Sequence, residues 1–144
     1  MSGTDTRGFG AARHLARRIA MLTGRRRVLV VLVDPCLGTE LGRYEFGAPV
    51  PGIATNALLQ LVLPTDPRVC DVARLHEPAL RRLADHWAAE RILVAPCTFG
   101  NDLVALAVAP VGATPTAAVE REVRRLTERF AASVIGTRLF SQAV

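Results

Sequence analysis

Residues 91–109 read RILVAPCTFGNDLVALAVA, two apolar runs on either side of Phe99-Gly100-Asn101-Asp102. A Gly-Asn pair between such runs marks a β-hairpin, because both residues tolerate the positive φ of a tight turn. Neither run alternates polar with apolar. Strands of that kind need cover on both faces, so helices are expected on each side of a sheet built around this hairpin.

Working backwards, EPALRRLADHWAAE (77–90) predicts the helix that feeds the hairpin. Pro78 falls in its first turn, where a missing N–H costs nothing, and Leu80, Leu83, Ala84 and Trp87 share one face. Residues 68–72 suit a short strand. Between 48 and 67 the prolines and Gly52 open a connector, with a short helix expected over 57–62, and its apolar content suits a cover over something beneath. Residues 41–47 read as a more polar strand near a sheet edge, with Tyr44 and Phe46 two apart on one face. Residues 36–39 turn the chain. VLVVLV (28–33), stopped by Asp34-Pro35, wants the centre of the sheet. A first helix is expected over 9–23, capped by Gly24, and residues 1–8 are polar enough to fray.

Beyond the hairpin, 110–114 reads as a turn, with Thr114 as N-cap and Pro115 as first residue of a helix running to about Phe140. Val119, Val123, Leu126 and Phe130 form its apolar stripe. The expectation is one domain, 9–144, of α+β sandwich type: a mainly antiparallel sheet of five or six strands with helices on both faces.

Composition narrows the function. All 18 basic residues are arginine, giving a net charge of +5, but they lie among acidic residues on expected helices, so solvated faces explain them and nucleic acid is not an expected partner. Cys36, Cys70 and Cys97 are odd in number and form neither CxxC nor CxxH, which fits reduced thiols in a cytoplasmic protein. The uncharged run 103–119 is broken by two prolines and is shorter than the roughly 20 residues of a membrane span, so no membrane partner is expected.

The order of these segments resembles a GAF domain over nearly the whole chain. The residues carrying the resemblance are the strand ending at Asp34, the Gly52-Ile53-Ala54 loop leading to a strand ending at Asp71, the helix Leu80 to Trp87, then ILVAP, a glycine turn, LVALAVAP and a long amphipathic helix. PAS, roadblock-type and bacterial regulator effector domains share the general architecture. The resemblance implies a stand-alone bacterial sensory or regulatory domain in signal transduction that binds a small organic ligand or a signalling protein, in a pocket lined by Tyr44, Phe46, Ile53, Leu58, Cys70, Leu83 and Trp87. It also implies a homodimer through the helix bearing Val119, Val123, Leu126 and Phe130.

Cyclic-nucleotide and bilin motifs of that family are absent. In its haem-binding members the axial histidine lies ten residues before the strand proline; with Pro96 as that proline, His86 occupies the position. Haem or redox sensing through His86 is therefore an alternative, as is a small thiol-dependent reductase using Cys70 or Cys97. The plainer readings are a hydrogen-bonded surface histidine and a small buried hydrophobe at Cys97. No catalytic residue is assigned, and an enzyme is not the main expectation.

Overall fold

The computed structural model describes residues 5–50, 55–59 and 64–142. Helix α1 (Asp5–Thr23) leads into β1 (Val28–Val33) and β2 (Glu40–Phe46); α2 (Thr55–Leu59) precedes β3 (Arg68–Asp71) and a single 3-10 turn; α3 (Pro78–His86), β4 (Arg91–Phe99), β5 (Asp102–Val111) and α4 (Thr116–Gln142) complete the order. The five strands form one sheet in the order β2-β1-β5-β4-β3. Every neighbouring pair in it is antiparallel.

The hairpin closes at Gly100-Asn101, where Gly100 takes φ 64 and Phe99 pairs with Asp102. Strand β5 then runs further than its sequence suggests, through Pro110 to Val111. Pro110 pairs with Ile92 of β4, two residues beyond the last β5 partner of β1, Val108. Pro96 lies likewise beyond Val94, the last β4 residue paired with β3. Each proline sits where one neighbouring strand has ended, so an absent N–H breaks no ladder bond on that side.

Alternation along the central strands divides the interior into two cores. On one face Val28, Val30, Leu93, Ala95, Cys97, Ala105, Ala107 and Ala109 meet Ala12, Ala16 and Ile19 of α1 and Val119, Val123 and Phe130 of α4. The other face carries Leu29, Val31, Ile92, Val94, Leu106 and Val108 under Leu58 of α2, Leu80 and Leu83 of α3, and Trp87 just past its end. The stripe of alanines lets two long helices lie close on the first face. The larger residues opposite fill the space beneath shorter, less regular cover.

Three local devices set the helix ends. Gly24 takes φ 77 and returns its N–H to the Ala20 carbonyl at 3.1 Å, ending α1. Helix α3 stops earlier than the expected residue 90: Ala88 turns to φ 50 and the Ala89 N–H reaches back to the Ala84 carbonyl at 2.9 Å. Thr114 does not cap α4 with its side chain, since its buried Oγ1 has no partner among the described residues. Instead the Arg91 guanidinium donates to the carbonyls of Gly112 and Thr114 and, at 2.8 Å, to Thr116 Oγ1, clamping the entry to the helix.

Among the described residues, Gly47 is the glycine with least freedom to change. It has φ 97, and a Cβ there would lie 2.4 Å from the Arg26 carbonyl oxygen. Gly38 has φ 69 with open space around it. Gly47→Ala is expected to cost about 2 kcal/mol or more and Gly38→Ala about 1 kcal/mol. Urea denaturation of the two variants measures the gap, and equal losses would remove the clash as its cause.

Candidate functional site

Cross-strand partners point to the same face of a sheet, so the register decides which expected pocket residues meet. Leu58 and Leu83 are fully buried in the α2/α3 core and Trp87 is 4% exposed there, with half-buried Cys70 packed against them. Tyr44 pairs with Val30 and Phe46 with Val28, which puts both aromatics on the α1/α4 face. The sheet separates them from the other four. Ile53 lies outside the described residues.

What β2 offers to the α2/α3 face is charge. Arg43 pairs with Val31 and Glu45 with Leu29, and their side chains meet at 3.3 Å. Glu45 Oε2 also accepts the Val50 N–H at 2.9 Å, fastening the start of the connector to the strand. The result is a buried apolar core around Trp87 with the Arg43–Glu45 ion pair at its β2 edge. The signal for this pair was present in ELGRYEF, where the period of two that aligns Tyr44 with Phe46 also aligns Arg43 with Glu45 on the opposite side.

The two faces are joined at one end of the sheet. Arg25, just past α1, donates from Nη2 to the Trp87 carbonyl at 2.7 Å, at the C-terminus of α3. The Gly112 N–H donates to the Thr23 carbonyl at 2.8 Å, so the end of α1 meets the start of α4.

On the outer side of α1 and α4 an open trough of about 510 Å³ runs between the two helices. Leu22 and Leu126 lie between the helices, Met21 stands largely exposed at the lip, and Arg18, Arg125, Arg129 and Glu122 complete the lining. Of the α4 stripe named from the sequence, Val119, Val123 and Phe130 are buried in the chain's own core. Leu126 alone of the four lines this trough.

His86 stands exposed in the last turn of α3, while Leu83, Ala84 and Trp87 fill the interior beneath that helix. An iron ligand in the open lacks the dry apolar surroundings of a haem pocket, so the described residues do not fit that group. Cys36 is exposed, Cys70 half-buried and Cys97 buried. Cys70 and Cys97 face opposite cores. Burial first, and the Glu120 carboxylate second, hold the Cys70 thiol above its ordinary 9.0; burial alone raises Cys97 much further. Both thiols stay protonated at neutral pH, which is unfavourable for a nucleophile. Among the described residues no three His, Cys, Asp or Glu side chains cluster so as to hold a metal ion, and no helix is long and apolar enough to cross a membrane.

Solved structures place this architecture. The PixJ GAF domain of Thermosynechococcus elongatus in its blue-light-absorbing form matches with a TM-score of 0.66 at 14% identity, over 99% of this chain and 94% of that one. GAF3 of a Synechocystis protein, in its photoproduct state, matches at 0.63 and 15% identity, covering 94% of this chain and 98% of its own. The GAF domain/HD domain protein from Geobacter sulfurreducens gives 0.62 at 16%, over 90% and 93% of the two chains. No protein-family model and no curated protein matches the chain. The fold is that of a GAF domain.

Alkylation by iodoacetamide should label Cys36 first and Cys70 slowly, with Cys97 reacting only on unfolding. Labelling of Cys70 should accelerate only above the ordinary thiol range near 9.0. Peptide mass mapping follows the order, and rapid neutral-pH labelling of Cys70 would contradict it. Replacing Arg25 by Ala removes the hydrogen bond to the Trp87 carbonyl and is expected to cost about 1 kcal/mol, read by urea denaturation.

Proposed function

We infer that the chain is a sensory or regulatory domain that holds a small organic ligand on the α2/α3 face of its sheet and passes the change to another protein through α1 and α4. The observation that carries this reading is the composition of that face. Leu83 and Trp87 are buried beneath α2 and α3, and the face ends in the Arg43–Glu45 pair at the β2 edge, so a ligand held here would displace part of that cover and be oriented by the charged pair. Support also comes from the fold, since the PixJ and Synechocystis GAF domains are described by the light-dependent states they adopt.

The path of the signal follows from the Arg25 hydrogen bond to the Trp87 carbonyl, which ties the ligand-side helix to the end of α1. Of the stripe expected to join two copies, Val119, Val123 and Phe130 are enclosed in the chain's own core, so a homodimer through that stripe is not part of this reading. The thiol-dependent alternative is disfavoured by the raised pKa values of Cys70 and Cys97.

Trp87 is the only tryptophan in the chain and sits in this face, so it is a built-in reporter. A molecule that co-purifies with the protein, identified by native mass spectrometry and added back to stripped protein, should shift Trp87 emission. Arg43→Ala should weaken that response about tenfold. Binding that leaves Trp87 emission and the Arg43 variant unaffected would move the ligand off this face and leave a purely protein-binding role.

A further inference from the structure

We propose that the trough between α1 and α4 is a docking site for an acidic amphipathic helix supplied by a different protein. Its shape suits a helix. The lining covers Arg18 to Leu22 on α1 and Glu122 to Arg129 on α4. Along α4 that is about 10 Å at 1.5 Å per residue, room for two turns of a third helix laid beside the pair. Met21 is 75% exposed at the lip. A trough this open cannot enclose most of a small molecule's surface, as small-molecule sites do.

Charge selects the kind of helix. Three arginines on the rim face one glutamate, and that glutamate, Glu122, is engaged by Arg125 at 3.4 Å. Among the described residues no carboxylate pairs with Arg18 or Arg129. The exposed surfaces flanking the trough add Arg13 and Arg17 on α1 and Arg121 on α4. A helix with apolar residues at i, i+3 or i+4, and i+7, and with Asp or Glu beside them, answers both the floor and the rim.

The same features argue against other occupants. A second copy docked about a two-fold axis would bring the three rim arginines of one chain against those of the other. A phosphate backbone would leave the apolar lining of Met21, Leu22 and Leu126 unused. A bilayer needs a broad protruding apolar face, whereas Met21 is the one largely exposed apolar side chain in this lining and stands among arginines.

The chain contains two methionines, Met1 and Met21, so methyl-labelled protein gives a sparse NMR spectrum with one signal at the lip of the trough. The probe is a synthetic Leu/Glu amphipathic peptide of about 15 residues, long enough to form helix on binding. It should shift the Met21 methyl saturably, and added salt should weaken it. A fluorescent version read by anisotropy should bind about tenfold more weakly to the R18E/R129E double variant, and M21D should weaken it without touching the charged rim. Both variants change exposed positions, and unchanged Trp87 emission checks their fold.

The proposal is overturned if the peptide leaves Met21 unmoved up to about 1 mM, or if a scrambled peptide of the same composition binds equally. It is also overturned by a dimer in sedimentation that M21D dissociates, which would assign the trough to a second copy. Duplex DNA or anionic vesicles acting on Met21 more strongly than the peptide would equally displace it.

Discussion

The structure depends on one constraint, the two-sided burial of β1, β4 and β5. Val28 to Val33 are buried at every position, and so are Ile92 to Cys97 and Val104 to Val111. Strands this apolar are stable in water only as the middle layer of three. Two covering layers must exist, and their character is set by what each face presents. The alanines at 95, 105, 107 and 109 admit two long helices at short range, whereas the bulkier residues opposite meet short helices and connectors. The short layer has a charged margin at β2 and covers the sheet with short helices.

The edges of the sheet are handled differently from its centre. At β3 the outward Val69 N–H is taken by Glu120 Oε2 of α4 at 2.9 Å, so the edge is met by the chain's own helix. At β2 one face is aromatic and joins the α1/α4 core, while the other carries Arg43 and Glu45. An edge strand can accept that mixture because water or a connector reaches one of its faces. For this reason the charged groups that the sheet presents on the α2/α3 side lie on its edge strands, Arg43 and Glu45 on β2 and Arg68 on β3.

Much of this was legible in the chain. The Gly100-Asn101 turn, the uninterrupted VLVVLV run, Pro78 at the start of α3 and the spacing of Val119, Val123 and Phe130 each specify a local structure by short-range physics, and each is found where the pattern puts it. Other points were hidden. Tyr44 and Phe46 are aromatic and two apart, which says that they share a face but not which one; only pairing with Val30 and Val28 decides it. Pro110 looked like a stop, yet β5 passes through it because β1 has already ended. Ala88 gave no sign of the left-handed turn that closes α3, since an alanine adopts it only under the pull of the surrounding packing.

The sequence by itself determined the elements, their order and the need for cover on both sides of the sheet, because hydrophobic period, turn chemistry and helix-end residues act over a few positions. Only the tertiary structure decided which residues face one another. It set Leu58, Leu83 and Trp87 apart from Tyr44 and Phe46, brought Arg25 to the carbonyl of Trp87, and left Met21, Leu22 and Leu126 lining a basic trough. Those outcomes follow from strand register and helix placement. Both are fixed by contacts between residues far apart in the chain, which no local pattern encodes.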